Sequence, residues 1–162
     1  MKIRIIGGPG SGKTTLARRL SREMGIPHYD LDELQWRNTG DYGIKRDAVE
    51  RERLLSEIMA REDWIIEGVY YAWCGETFAS ADRIYLLTVP RRVYRYRLIR
   101  RFIRRKLGRE PGKRESLGSL RDLLRWADKF QQVNLPAIRE LLAPVWDKVV
   151  EVEQGGQSPG PA

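Results

Sequence analysis

The segment G-G-P-G-S-G-K-T at residues 7–14 constrains the fold more than any other part of the chain. It fits the pattern G-x-x-x-x-G-K-T, in which successive backbone amides curl around a phosphate chain at the start of a helix. A run at residues 3–6 with β-branched isoleucines at positions 3, 5 and 6 precedes it, and Leu16, Ala17 and Leu20 follow at helical spacing. This order of strand, glycine-rich loop and helix predicts a nucleotide-binding site rather than a structural turn.

The rest of the chain continues the alternation of strand and helix. Strands are predicted at residues 28–31, 64–66, 83–89 and 148–152. Helical patterns occupy residues 46–61, 91–107 and 117–142, the last interrupted near Pro136. Such an order implies parallel strands joined by right-handed helical crossovers. We therefore expect an α/β fold with a three-layer, doubly wound, five-stranded parallel sheet of the phosphate-loop NTPase type. Its single domain would span residues 1–153, and residues 154–162 would form a flexible tail.

Within the loop, each residue type has an expected role. Lys13 would hold the β- and γ-phosphates of ATP, and the Thr14 hydroxyl would ligate Mg²⁺. The remaining phosphate contacts would come from Thr15 and the loop amides. The predicted nucleotide-binding residues are Gly8, Pro9, Gly10, Ser11, Gly12, Lys13, Thr14 and Thr15.

Other sequence features indicate which class of nucleotide-binding protein the chain represents. A regulatory GTPase needs an N-K-x-D motif, but neither Asn38 nor Asn134 is followed by Lys. Transport and helicase ATPases carry their loop within larger domains, so a chain of 162 residues favours a small-molecule kinase. Its lone Cys74 and the lack of a charged leader or long apolar stretch predict a cytoplasmic protein without a membrane span.

A kinase also needs acids near Mg²⁺ and near the phosphoryl acceptor. Glu67 follows an apolar run and would lie at the sheet edge where ligands bind, either in the site or as an ordinary surface acid. Asp30 and Asp32 are predicted to alternate on the second strand and point the same way; the alternative is that Asp30 caps the following helix. His28 is expected to be a packed or surface residue rather than a metal ligand.

The positive charge is concentrated in one segment. Residues 91–114 contain twelve Lys and Arg and one acid, Glu110, a local charge of +11, whereas the other residues carry 18 basic and 21 acidic groups. Arg97, Arg100, Arg101 and Arg104 recur at helical spacing and are predicted to share one face. The other side is predicted to hold Tyr94, Leu98, Phe102, Ile99 and Ile103. The stripe predicts a mobile lid over polyphosphate, or else a solvated helix face.

Aromatic residues offer two interpretations. Trp36, Trp64, Trp126 and Trp146 are expected in the core. Trp73 and the pair Tyr70 and Tyr71, beside Gly68, either pack inward or stack on a substrate base.

The segment I-I-G-G-P-G-S-G-K-T-T-L-A-R at residues 5–18 resembles adenylate-kinase-like proteins of the DNA topology modulation (FlaR-type) family. L-D-E-L-Q-W at residues 31–36, W-I-I-E-G-V-Y at 64–70 and V-P-R at 89–91 are similar to further segments of that group. The resemblance implies an adenylate-kinase-like core that uses ATP and Mg²⁺.

The same resemblance implies site residues. The acceptor would bind over Asp32, Glu67 and Gly68, with Asp30, Trp36 and Tyr70 beside them, and Arg97 and Arg101 would embrace ATP from a lid at residues 91–142. Glu67 and Val69 stand where the family has Asp and Asn, and Gln131 and Gln132 stand where relatives carry arginines. Arg121 and Arg125 are the candidate substitutes for those arginines.

Several functions remain open at this point. The leading expectation is transfer of the γ-phosphoryl group of ATP to a small acceptor, with a nucleoside monophosphate as the first candidate and a sugar or polyol acid as the alternative. A second possibility is a nucleotide-switched nucleic-acid-binding protein whose basic segment follows a phosphate backbone. A polynucleotide 5′-hydroxyl kinase would combine the two.

Overall fold

The computed structural model describes residues 1–37, 44–109 and 116–153, and within them it forms one parallel sheet. The strands are β1 (Lys2–Gly7), β2 (His28–Asp30), β3 (Trp64–Gly68), β4 (Arg83–Thr88) and β5 (Val149–Glu153). They are ordered β2-β3-β1-β4-β5, and every neighbouring pair is parallel. The predicted five-stranded α/β architecture is confirmed.

Helices connect the strands. They are α1 (Lys13–Met24), α2 (Leu31–Gln35), α3 (Ala48–Met59), α4 (Glu76–Ser80), α5 (Arg91–Lys106), α6 (Leu117–Lys129) and α7 (Leu135–Leu142). Local chemistry sets their ends: Gly25 ends α1 with a left-handed φ of 69°, and the Asp47 carboxylate caps α3. None of these helices is both long and apolar enough to cross a membrane. Cys74 is a buried free thiol, and the cytoplasmic location stays a prediction.

The core lies on both faces of the sheet. Ile6, Ile66 and Leu86 are buried on the face that packs against α2, α3 and α7, whereas Ile3 and Ile5 are buried on the α1 face. Because the inner strands are covered on both sides, their sequences are continuous apolar runs instead of alternating patterns. Each fully buried Ile or Leu contributes about 1.5–3 kcal/mol, so the central strands fix the positions of the loops at their carboxyl ends.

The predicted helix at residues 117–142 is interrupted at a different place. A π-helical turn (Phe130–Asn134) separates α6 from α7, and Pro136 instead occupies the first turn of α7, where proline is tolerated. A 3₁₀ turn (Ala143–Lys148) then leads to β5. The predicted core positions of Trp126 and Trp146 are wrong, because their side chains are 41% and 43% exposed.

The second strand is shorter than predicted. It ends at Asp30, and Leu31 begins α2, whose first turn contains Asp32. The Asp30 carboxylate accepts a hydrogen bond from the Asp32 amide at 2.8 Å and thereby caps the helix. The prediction that Asp30 and Asp32 alternate on one strand is therefore wrong, and the alternative of Asp30 as a helix cap is correct.

Candidate functional site

The phosphate-binding loop, residues 7–14, lies between the end of β1 and the first turn of α1. Gly10 and Gly12 have φ angles of 72° and 90°, in the left-handed region that favours glycine. These turns bend the chain so that the Ser11 amide donates to the Gly8 carbonyl at 3.3 Å. The remaining amides of the loop precede the start of α1, the arrangement that binds an anion at a helix N-terminus.

Lys13 lies over this loop. Its Nζ donates to the Gly8 carbonyl oxygen at 3.0 Å. Burial lowers the pKa of Lys13, although the negative charges of Glu67, Asp32 and Asp30 oppose the shift. The ammonium therefore belongs to a half-buried side chain and interacts electrostatically with three carboxylates.

Glu67 is the acid closest to the loop. Its side chain is buried on β3, in register with Ile5 of β1 and Asp30 of β2. Burial raises the pKa of Glu67, but contacts with His28 and Thr14 and the charge of Lys13 outweigh that effect and lower the pKa below its ordinary value. Glu67 is therefore an ionised carboxylate inside the protein.

The Glu67 environment fits a magnesium–nucleotide complex. The Oε1 atom lies 3.6 Å from His28 Nε2 and has no hydrogen-bond partner in the described part of the chain. A buried acceptor without a partner is costly unless a ligand or water satisfies it. Carboxylate and hydroxyl oxygens are the donors that Mg²⁺ prefers, so Thr14 and Glu67 are suited to hold the ion directly or through water.

The acceptor residues predicted from the sequence lie beside Glu67. Burial and the charge of Glu67 raise the pKa of Asp30 to about 6. The Tyr70 hydroxyl donates to Asp32 Oδ1 at 2.8 Å, and burial together with that carboxylate raises the pKa of Tyr70. Trp36 is half-buried and also contacts Tyr70.

Gly68 ends β3 where the chain passes close to α2. A Cβ at this position would lie 2.8 Å from the Leu31 Cβ, so only glycine fits without displacing the start of α2. The structure thus brings Asp30, Asp32, Gly68 and Tyr70 to the same edge of the sheet as the phosphate-binding loop.

Helix α5 packs directly on the loop. A Cβ on Gly10 would lie 3.2 Å from the Tyr94 carbonyl oxygen, and an Arg97 guanidinium nitrogen donates to the Gly10 carbonyl at 3.1 Å. Arg101, one turn later, is half-buried. Of the two arginines predicted for the lid, Arg97 therefore contacts the phosphate-binding loop, and Arg101 lies one helical turn beyond it.

The four arginines of the predicted stripe differ in exposure, and the two isoleucines do not join the buried face. Arg100 and Arg104 are exposed while Arg97 and Arg101 are half-buried, and Ile99 and Ile103 are 39% and 50% exposed. The buried side chains of Tyr94, Leu98 and Phe102 define the inward face of α5. Because their spacing of four residues fixes the rotation of the helix, the two isoleucines turn outward.

Two further residues were not identified from the sequence. Asp128 on α6 accepts hydrogen bonds from Tyr94, from Arg91 at 2.9 Å and from Arg95 at 2.7 Å, and so ties α6 to α5. Arg4 is fully buried on β1 and donates to the Tyr70 carbonyl at 2.7 Å and to Thr77 Oγ1 at 3.1 Å. A charged residue inside an apolar strand run was the signal that Arg4 positions the segment after β3.

The arginines predicted to replace those of the family's second lid helix stay at the surface. Arg121 and Arg125 are both exposed on α6. Gln131 in the π-helical turn donates to the Val89 carbonyl at 3.5 Å.

Thr15, the last of the residues predicted to bind the nucleotide, is exposed at the first turn of α1.

Comparisons of the sequence with known proteins identify its family. The model of the AAA domain family matches residues 3–117. The chain is 25% identical over 145 residues to the uncharacterized protein YqaC of Bacillus subtilis (strain 168), covering 89% of this chain and 80% of YqaC. Over 60 residues it is 33% identical to shikimate kinase 2 of Sodalis glossinidius (strain morsitans), covering 37% of this chain and 28% of that enzyme.

A solved structure has the same fold. The gluconokinase of Sinorhizobium meliloti 1021 superposes with a TM-score of 0.55 at 16% identity, and the match covers 96% of this chain and 83% of the gluconokinase. The sheet and helices described above therefore have the same overall arrangement as those of this gluconokinase.

Proposed function

We propose that this chain, which belongs to the AAA domain family, is a phosphotransferase that moves the γ-phosphoryl group of ATP to a small acceptor. The observation that carries the proposal is the convergence of Lys13, Thr14 and the ionised Glu67 at the carboxyl ends of β1 and β3. Catalysis of phosphoryl transfer depends mainly on positioning and charge stabilisation, and these residues supply both.

Each group of the proposed site has a separate role in binding ATP and Mg²⁺. The loop amides and Lys13 bind the phosphate oxygens, and Thr14 with Glu67 would hold Mg²⁺. The bound ion would neutralise charge on the β- and γ-phosphates. Arg97, beside Gly10, and Arg101 would add positive charge from the lid, which we place at residues 91–142 of a domain spanning 1–153.

The transfer step forms one bond and breaks one. An oxygen of the acceptor attacks the γ-phosphorus, and the bond from that phosphorus to the β–γ bridging oxygen breaks. ADP leaves with the electron pair of the broken bond. If the acceptor group is a hydroxyl, its proton passes to Asp32, whose carboxylate is already oriented by the Tyr70 hydroxyl.

The acceptor would bind over Asp30, Asp32, Trp36, Gly68 and Tyr70. A nucleoside monophosphate is one candidate, supported by the likeness to adenylate kinases in the loop and the lid. A polyol or cyclic acid of the gluconate or shikimate type is equally supported, because a gluconokinase shares the fold and a shikimate kinase shares a 60-residue match.

The test is an acceptor panel with ATP and Mg²⁺, read by ADP release and by detection of the phosphorylated product. It should include nucleoside monophosphates, nucleosides, gluconate and shikimate. Lys13→Ala is the control for phosphate-loop chemistry. Turnover above background ATPase with one acceptor, lost in Lys13→Ala, would support the proposal, and no turnover with any acceptor would refute it.

The exposed arginines of α5 favour a second candidate. Arg92, Arg100 and Arg104 are exposed, and α5 contains no acid that could pair with them. They could follow a nucleic-acid backbone, as in a polynucleotide 5′-hydroxyl kinase or a nucleotide-dependent DNA-binding protein. Adding oligonucleotides to the same panel distinguishes a polynucleotide kinase from a DNA-binding protein. The kinase gives an oligonucleotide phosphorylated at its 5′ end, and simple binding does not.

A further inference from the structure

A cavity of about 290 Å³ lies between the segment that follows β3 and the end of α6. Its walls include five aromatic side chains and one amide. They are Tyr70, Tyr71, Trp73, Trp126, Phe130 and Asn134. The cavity volume is close to the lower end of the range for small-molecule sites, which suits a ligand with one compact ring system.

The aromatic rings form two groups on opposite elements. Tyr70 and Trp73, after β3, have ring centroids 5.6 Å apart at an interplanar angle of 48°. Trp126 and Phe130, at the end of α6, have centroids 6.2 Å apart at 65°. Trp126 is 41% exposed, so this large ring is not sequestered in the core. A flat ligand between the groups would gain aromatic contacts on both sides.

The cavity adjoins the phosphate-binding loop. Phe130 lies so close to Gly8 that a Cβ there would be 2.9 Å from the ring Cδ1 atom. On the other wall, the Tyr70 hydroxyl bonds to Asp32, the proposed acceptor residue. One wall of the cavity therefore touches the site of the donor phosphates, and the other touches the site of the acceptor.

Polar groups among the lining residues can recognise the edge of a ring. Asn134 Nδ2 donates to the Tyr71 hydroxyl at 3.0 Å, which leaves the Asn134 carbonyl and the tyrosine proton for other partners. Asn134 and Phe130 are both held by the π-helical turn, a feature often found at functional sites. Trp73 Nε1 has no hydrogen-bond partner within residues 1–37, 44–109 and 116–153.

We infer that the acceptor carries a planar aromatic ring, such as a nucleobase, and that this ring binds in the cavity between the segment after β3 and α6. The inference rests on the proposed phosphotransferase function and specifies the class of its acceptor. A polyol acid has no aromatic ring to place between Tyr70, Trp73 and Trp126, so the cavity favours a nucleoside or nucleotide over the gluconate type of acceptor.

Binding measured without ATP tests the inference separately from catalysis. Isothermal titration calorimetry would use AMP, GMP, CMP and dTMP as probes, with gluconate and shikimate as compounds that lack an aromatic ring. Trp126→Ala removes an exposed wall residue, and Trp126→Phe restores a ring. Trp146→Ala is the matched control, because Trp146 has nearly the same exposure, 43% against 41%, and does not line the cavity.

We expect at least one nucleotide to bind the unaltered protein. Loss of one stacking partner should weaken that binding about tenfold in Trp126→Ala, with recovery in Trp126→Phe and no change in Trp146→Ala. Absence of binding by all four nucleotides, or equal binding by the two alanine variants, would overturn the inference.

The two proposals fail in different ways. Phosphorylation of gluconate or shikimate without any nucleotide binding would overturn the ring site and leave the phosphotransferase function standing. Nucleotide binding that depends on Trp126, in a protein that transfers no phosphate to any acceptor, would refute the phosphotransferase function and support the ring site.

Discussion

Asp30 gives the most quantitative prediction, because its carboxyl group lies among other acids in a half-buried position. Burial and the nearby Glu67 raise the pKa of Asp30 to about 6 from an ordinary value of 3.8. The ionised form is therefore disfavoured in the folded protein. Asp30→Asn removes this charge while keeping a side chain that can cap α2, since asparagine is as good an N-cap as aspartate.

The direction of the change in stability with pH follows from proton binding at Asp30. Between pH 3.8 and about 6 the folded protein binds more protons at Asp30 than the unfolded chain does. Stability therefore falls as the pH rises through this window, and the unaltered protein carries the full penalty above it. A shift of roughly 2 pKa units corresponds to about 3 kcal/mol at most, and partial solvent access reduces this to about 2 kcal/mol.

The assay is urea unfolding followed by tryptophan fluorescence at pH 7.5, 6 and 4.5. Asp30→Asn should increase the free energy of unfolding by about 2 kcal/mol at pH 7.5 and by much less at pH 4.5. Asp47→Asn is the matched control, because Asp47 also caps a helix but is exposed. It isolates the effect of the same chemical change at a helix start outside the site.

Two results would refute this reasoning. One is an Asp30→Asn variant that is no more stable than the unaltered protein at pH 7.5. The other is a gain in stability of the same size at pH 4.5, which would show that the Asp30 charge is not its cause. The predicted gain should be accompanied by weaker phosphoryl transfer, because Asp30 is one of the proposed acceptor residues. Residues in functional sites often reduce stability in this way.

The other predictions concern the loop, the metal and the lid. Lys13→Ala should lower kcat/KM by about 10²–10³-fold with little change in Tm, and a large drop in Tm would make its role structural. Glu67→Gln should weaken Mg²⁺-dependent turnover about 10–100-fold in a magnesium titration, and an unchanged titration would remove Glu67 from the metal site. Asp128→Asn should separate α6 from α5 and speed proteolysis at residues 91–142, and unchanged cleavage there would contradict the proposed tie between the helices.

The parts of the fold set by local chemistry could be predicted from the sequence. Gly10 and Gly12 adopt the left-handed conformation that the phosphate-binding loop requires. The apolar runs around Ile5 and Ile66 form central strands. Glu67 could be found because it directly follows such a run. Parallel strands bring their carboxyl ends to one edge, so the loop and this acid had to lie close together.

The errors came from features that depend on tertiary packing. The sequence pattern grouped Ile99 and Ile103 with Tyr94, Leu98 and Phe102, but periodicity alone does not say how much of a helix face the core covers. The π-helical turn and the exposed Trp126 depend on how α6 meets the loop after β3, and no local signal marks that contact. Asp32 was placed on a strand because two acids spaced by one residue fit β alternation as well as a helix cap.

Calorimetric titration of ATP with Mg²⁺ into the folded protein tests the central claim most directly. The geometry of the phosphate-binding loop predicts uptake of one nucleotide per chain, and loss of that uptake in Lys13→Ala. If neither ATP nor GTP binds the unaltered protein in the presence of Mg²⁺, the loop does not hold a triphosphate and the proposed phosphotransferase is contradicted.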